Sequence, residues 1–178
     1  MTPGYLLGIG TNLDPERNVP AIVEALLRCF GRIQLSRFYQ TLPIGMQSTK
    51  RFVNFCAFVP TELDPEACKA ACVAIEIALG RDRSHPASKT RDRPADLDLL
   101  IQLRNDGKWV QLEPVPDYLA VAAAELTAVL SPGADVPALT GCVRGFVLRG
   151  RRLGETPTTI DGNDGASLVA VGQDRING

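Results

Sequence analysis

The sequence predicts an α+β domain of β-α-β-β-α-β order, a four-stranded antiparallel sheet with both helices on one face and additions at the C-terminus. Three observations predict it. Short β-favouring apolar runs alternate with two segments whose apolar residues recur at helical spacing. The second and third runs are separated only by a loop, so they need no helical crossover. The chain has 178 residues, 45% of them hydrophobic, with no repeat or dividing linker, which suits one domain with a sizeable core.

Residues 5 to 9 (YLLGI) read as a short buried strand, followed by the turn residues of GTNLDPERN. Val19, Ile22, Val23, Leu26, Leu27 and Phe30 then mark an amphipathic helix. Asp14-Pro15 is a good cap pair, but it would place Pro20 inside the helix, and Asn18 is the alternative cap. Ile33 to Tyr39 suits a second strand, and TLPIGMQSTK, rich in turn residues and without periodicity, a loop. FVNFCAFV, Phe52 to Val59, has the continuous apolar character of a central strand. Asp64-Pro65 caps a second helix with Cys68, Ala71, Cys72, Ile75 and Leu79 on one face, and Gly80 ends it. A polar, basic loop runs from Arg81 to Pro94, and DLDLLIQL is the fourth strand. This order is the ferredoxin-like sandwich. Lys108 to Leu112 reads as an edge strand and Tyr118 to Leu130 as a helix. One domain is expected over residues 1–155. Residues 156–178, rich in Gly, Asp, Asn and Thr, are expected to form a flexible tail or an added hairpin around Ser167 to Val171.

Composition removes several function classes. The net charge of −1 supplies no global field toward nucleic acid or membrane, so any anion site must be built locally. No apolar run approaches the roughly 20 residues of a membrane-spanning helix, and the N-terminus lacks the basic region of a signal peptide. The five cysteines (Cys29, Cys56, Cys68, Cys72, Cys142) include no C-x-x-C and are read as reduced core thiols of a cytoplasmic protein. His85 is the only histidine, which argues against histidine-rich zinc sites. An RNA-binding module shares the element order, but FVNFCAFV lacks the glycine-basic pattern such a module uses. There is no P-loop, and GIGTN lacks the third glycine and the parallel β-α-β setting of a dinucleotide fingerprint.

In the fourth strand Asp96 and Asp98 share one face while Leu97 and Leu99 share the other, with alternate Cα atoms roughly 6.5 to 7 Å apart. Two carboxylates on one face suit a hard cation such as Mg²⁺, although acids on a solvated strand face are also ordinary. The preceding loop places Arg81, Arg83, Lys89, Arg91 and Arg93 beside them, offset by Asp82 and Asp92. Carboxylates for a metal next to cations for phosphates are what a magnesium–polyphosphate complex requires.

GIGTNL, FYQTLPIG, FVNFCAFV, IEIALGRDR and RPADLDLL, in that order and spacing, resemble the 6-hydroxymethyl-7,8-dihydropterin pyrophosphokinases of folate biosynthesis. The resemblance covers residues 5 to about 101 and continues more loosely to about 141. It implies transfer of pyrophosphate from ATP to the pterin hydroxymethyl with release of AMP, using two Mg²⁺ ions. It places the metals on Asp96 and Asp98, and the pterin on Thr41, Pro43 and Ile44, with Phe52 stacking and Asn54 reading the ring edge. Gln47 and Glu76 match positions on the nucleotide side. Arg81, Arg83 and Arg93 match the catalytic-loop cations, with Lys89 where another basic residue is usual. Read without the resemblance, Phe52 could be plain core, Asn54 a loop cap and Glu76 a solvated helix residue. The implied partners are the pterin and ATP, with no nucleic acid and no membrane, in a monomer or homodimer.

The chain also departs from the family pattern. Thr90, Arg91 and Asp92 stand where Trp-Gly-Pro is usual. EPVPDYLAVAAAEL puts Val115, Ala120 and Ala122 where a histidine, an arginine and a second stacking phenylalanine are expected. Arg144 to Leu148 (RGFVL) looks like that motif placed later. These losses leave two alternatives: a relative with an altered acceptor or nucleotide, or a non-catalytic pterin- or nucleotide-binding protein.

Overall fold

In the computed structural model, which describes residues 2–46, 48–88, 90–131, 133–138, 140–162 and 168–170, strand β1 (Gly4–Thr11) is the centre of the sheet. It pairs antiparallel with β4 (Phe52–Pro60) on one side and β5 (Asp96–Leu103) on the other. Its alternation therefore fills two cores: Tyr5, Leu7 and Ile9 on one face, Leu6 on the other. β2 (Arg32–Leu35) lies beyond β4, giving the order β2-β4-β1-β5 of the expected ferredoxin-like sheet. The four expected strands are the middle of a larger sheet, nine strands among the described residues.

Helices α1 (Pro15–Phe30) and α2 (Pro65–Ala78) cover one face, against Leu7, Ile9, Val53, Phe55, Ala57, Leu97 and Leu99. α2 starts as its sequence predicts, the Asp64 carboxylate accepting from the Ala67 amide at 2.8 Å. α1 resolves its ambiguous start in favour of Pro15. It carries Pro20 inside, and Asp14 makes no side-chain cap. Asn18 instead donates from Nδ2 to the Leu13 carbonyl at 2.7 Å.

α3 (Asp117–Leu130) covers the opposite face, setting Leu119, Ala122, Ala123 and Leu126 on Leu6, Cys56, Phe58, Leu100 and Leu103. A bulge makes this two-sided packing possible. Leu7 pairs with Leu99 but Leu6 with Ile101, so Leu99 serves one core and Leu100 the other. Among the described residues no helix is long and apolar enough to cross a membrane.

The expected strand from Ile33 to Tyr39 is broken. β2 ends at Leu35 and β3 (Tyr39–Thr41) resumes along β4, with Leu35 opposite Ala57 and Tyr39 opposite Asn54. Three residues on one strand face two on the other, and Ser36 bridges the bulge, its Oγ accepting from the Cys56 amide at 2.9 Å. The kink sends Phe38 into the core, stacked on Phe55 with centroids 4.2 Å apart. It also aims the Arg37 amide and guanidinium at Glu125 of α3, a carboxylate with no solvent exposure.

The remaining strands extend the edges. β6 (Trp109–Gln111) pairs with β5, and β7 (Cys142–Val143) with β3. β8 (Phe146–Leu148) and β9 (Arg151–Leu153) form a separate hairpin on the α1 side. Beyond residue 155 the chain continues into two more strands. β10 (Thr158–Asp161) pairs with β2, burying Thr158, Thr159 and Ile160, and β11 (Leu168–Ala170) pairs with β10. Of the expected hairpin, Ser167 and Val171 lie outside the described residues, as does the chain after it. All five cysteines are free, but only Cys56, Cys68 and Cys72 are core residues; Cys29 and Cys142 are exposed.

Burial pushes the Glu125 carboxyl above its ordinary value, with Arg37 opposing. Arg37→Met strands this carboxylate and should cost about 3 to 5 kcal/mol in urea unfolding at neutral pH. A loss below about 1 kcal/mol would show that α3 is held by its apolar face alone.

Candidate active site

Two glycines hollow the sheet. Gly8 and Gly10 are on the α3 face of β1, where side chains would collide with their surroundings: a Cβ on Gly8 would meet Leu119 Cδ1 at 2.6 Å, and one on Gly10 would meet Asn54 Oδ1 at 2.7 Å. The register sets Gly10 between Asn54 and Asp96, and Gly8 between Cys56 and Asp98. α3 begins only at Asp117, so its cover ends over Gly8 with Tyr118 and Leu119. The result is an open cleft with a cavity volume of about 210 Å³, walled by Thr41, Leu42, Ile44, Gly45 and Met46, by Phe52 and Asn54, by Arg93, Asp96 and Asp98, and by Tyr118 and Leu119.

One side suits a flat, polar ring. Phe52 lines it and is only 8% exposed, and the buried Asn54 donates from Nδ2 to Thr41 Oγ1 at 2.7 Å, which holds its amide in place. Leu42 and Ile44 are exposed apolar side chains on the rim, at 62% and 66%. Pro43, expected among the contacts, is half-buried and stands back from the wall.

The other side is charged. Asp96 and Asp98 both reach the cleft as their two-residue spacing predicts. Asp96 accepts from Arg81 Nη1 and, at 2.5 Å, from Arg93 Nη1. Asp98 accepts at 2.9 Å from Lys69 Nζ, which also donates to the Leu97 carbonyl at 3.0 Å. Glu76 is neither solvated nor on the cleft wall. It has no exposure, and its Oε1 accepts from the Leu97 amide and from Arg81 Nη1, both at 2.7 Å, while Oε2 accepts from Arg83 Nη1. It therefore acts on the cleft through its arginines. The Arg81 Nε beside it is buried with no hydrogen-bond partner among the described residues. Arg91 is exposed, and Gln47 and Lys89 lie outside the described residues.

Further residues that the sequence reading did not place in the site complete it. Tyr118 lines the cleft, and burial followed by the charges of Asp96 and Asp98 pushes its hydroxyl above the ordinary value. Asn12, at the end of GIGTN, is 2% exposed and binds both the backbone of Arg93 and the side chain of Asp92. Burial opposes ionisation of Asp92, but hydrogen bonds from Ser48, Lys50 and Asn12 together outweigh it and hold the carboxyl below its ordinary value.

None of Val115, Ala120 and Ala122 lines the cleft, and Ala122 is buried against the sheet. Nor does RGFVL take their place. Arg144 pairs with Glu16 and lies 5.3 Å over the Phe146 ring, which is buried in the core of the α1 face.

Two carboxylates on one strand face, half-ringed by cations, fit a hard divalent ion that completes its shell with water and phosphate oxygens. Among the described residues no group of three or more His, Cys, Asp or Glu gathers, so an all-protein metal cage is not offered. Glu76→Gln removes the charge from beneath two arginines and should cost about 3 to 5 kcal/mol in chemical unfolding. Retained stability would mean that Arg81 and Arg83 are held without it.

Residues 6–150 match the family described as 7,8-dihydro-6-hydroxymethylpterin-pyrophosphokinase. The curated 2-amino-4-hydroxy-6-hydroxymethyldihydropteridine pyrophosphokinase of Porphyromonas gingivalis is 37% identical over 147 residues, 75% of this chain and 97% of that protein. The enzymes of the same name from Methylorubrum extorquens and Bacillus subtilis are 34% identical over 103 residues and 28% over 109, covering 56% and 60% of this chain and 63% and 64% of their own.

Proposed function

The chain belongs to the 7,8-dihydro-6-hydroxymethylpterin-pyrophosphokinase family, an enzyme family of folate biosynthesis, and from that premise we propose that the cleft over Gly8 and Gly10 carries the transfer. There the pyrophosphoryl group of ATP passes to the hydroxymethyl of 6-hydroxymethyl-7,8-dihydropterin, and AMP leaves. The observation that supports this most is one row of the sheet: Asn54, Gly10 and Asp96 are side by side on three strands. A ring-edge reader and a metal-holding carboxylate thus face each other across a space only glycine leaves open.

The roles we assign are those that the family resemblance implies for these residues. Phe52 stacks on the pterin, Asn54 reads its amide edge, and the backbone around Thr41, Pro43 and Ile44 closes around it. Tyr118 and Leu119 supply the wall on the α3 side, which the resemblance had placed on Ala122. Gln47 joins the nucleotide side, while Glu76 serves it indirectly. Asp96 and Asp98 hold two Mg²⁺ ions, which when bound neutralise the polyphosphate and lower the pKa of the attacking hydroxyl. Arg81, Arg83, Lys89 and Arg93 stabilise charge on the transferring phosphoryl and the departing AMP. Phosphoryl transfer depends on this alignment and electrostatic stabilisation more than on covalent help from protein.

The test is AMP release from ATP and Mg²⁺ with and without the pterin. AMP that forms only with the pterin is the expected result. Its absence from folded protein would favour an altered acceptor or a non-catalytic binder. Asp98→Ala should lower turnover by at least about 100-fold with the fold intact, and wild-type turnover in that variant would sink the assignment of the metal ligands.

A further inference from the structure

Two loops face each other across the cleft. One, between β3 and β4, carries Leu42 and Ile44; the other, between α2 and β5, carries Arg93. Both meet at one carboxylate. Asp92 Oδ1 accepts from Asn12 Nδ2 at 2.7 Å, and its Oδ2 pairs with Lys50 Nζ at 3.1 Å. Asn12 Nδ2 also reaches Ser48 Oγ at 3.4 Å, on the same loop as Lys50.

Asn12 in turn fixes the residue after Asp92. The Arg93 amide donates to Asn12 Oδ1 at 2.8 Å, and the Asn12 amide donates to the Arg93 carbonyl at 3.3 Å. Thr11 Oγ1 adds a long bond to the same carbonyl at 3.4 Å. Asn12 and Thr11 are 2% and 0% exposed, at the end of the central strand. The anchor is therefore rigid, and what it holds is one loop from each side of the cleft. Lys50 is more than half exposed, so its ion pair alone is weak. It is the combination with a buried amide that makes the junction specific, because bonds to an ionised acceptor are the stronger kind.

We propose that Asp92 is a positioning residue that couples the pterin-side loop to the phosphate-side loop, so that ordering one by its ligand orders the other. The coupling rests on the cleft being the site of pyrophosphoryl transfer. Asp92 does not line the cleft. It sets where Arg93 stands against Asp96 and where the rim of Leu42 and Ile44 closes.

Hydrogen–deuterium exchange on the full chain separates this from a plain turn brace. Asp92→Ala should raise exchange at least about tenfold in both residues 42–51 and residues 90–94, the scale of losing a charged hydrogen bond, while β1 and β4 keep their protection. Lys50→Met should loosen the same two segments, the double variant should be no worse than Asp92→Ala, and Lys50→Arg should restore protection. In the AMP-release assay Asp92→Ala should raise the pterin KM by more than it lowers kcat. Loosening confined to 90–94, or effects of the two single variants that multiply, would overturn the coupling. If Asp92→Ala does not fold, Asp92→Asn, which keeps an acceptor for Asn12 but loses the charge facing Lys50, is read by the same criteria. A wild-type chain that releases no pterin-dependent AMP would overturn the functional reading instead, and the exchange data would still decide the coupling.

Discussion

The cleft depends on one buried carboxylate. Glu76 has no contact with solvent, yet it accepts hydrogen bonds from two arginines and from the amide that begins the run of β5 beyond Asp96. An ion pair in such a place adds little net stability over well-packed apolar side chains, because desolvation cancels most of the attraction. What it supplies is position. Arg81 is pinned between Glu76 and Asp96, and Arg93 reaches Asp96 from the other side. A cationic loop that would otherwise be free to pair with its own acids is thereby turned toward the cleft. Asp82 is engaged locally, accepting from the Ser84 hydroxyl and the Ser84 and His85 amides, and leaves the arginines to this network.

The empty space has an equally simple cause. A central strand buried on both faces would normally be filled by large side chains, as β1 is at Tyr5, Leu6 and Leu7. At Gly8 and Gly10 it carries none, and α3 stops short of covering the gap. The hollow is therefore built into the central strand, which is paired on both sides. Its charged and apolar walls are side chains of neighbouring strands, while its lip is made of loops. A floor of paired strands with a lip of loops is suited to aligning two substrates.

Much of the site was legible because a strand has a period of two. DLDLL on a β-favouring run places both aspartates on one face whatever surrounds them. The burial of Glu76 was also written in the sequence. It stands four residues after Cys72, which stands four after Cys68, so all three share the inward face of α2. Its charge argued for solvent, and only the arginines that meet it in three dimensions reverse that argument. Asn12 had no such signal. A polar residue after a strand looks like any turn, and its role comes from a loop 80 positions away.

By itself the sequence determined the strand and helix order, the apolar faces, the diacid and the basic loop, since each is a matter of spacing between residues close in the chain. Tertiary structure decided what no local pattern contains: the bulge at Ser36 that broke one expected strand in two, the pairing of Thr158 to Asp161 with β2, and the separation of RGFVL from the cleft. It also decided that Tyr118, not Ala122, faces the cavity. The physical reason is the same in each case. A side chain's partner across the sheet is set by register and by which face a distant helix covers, and neither is encoded within one turn or one strand of the residue concerned.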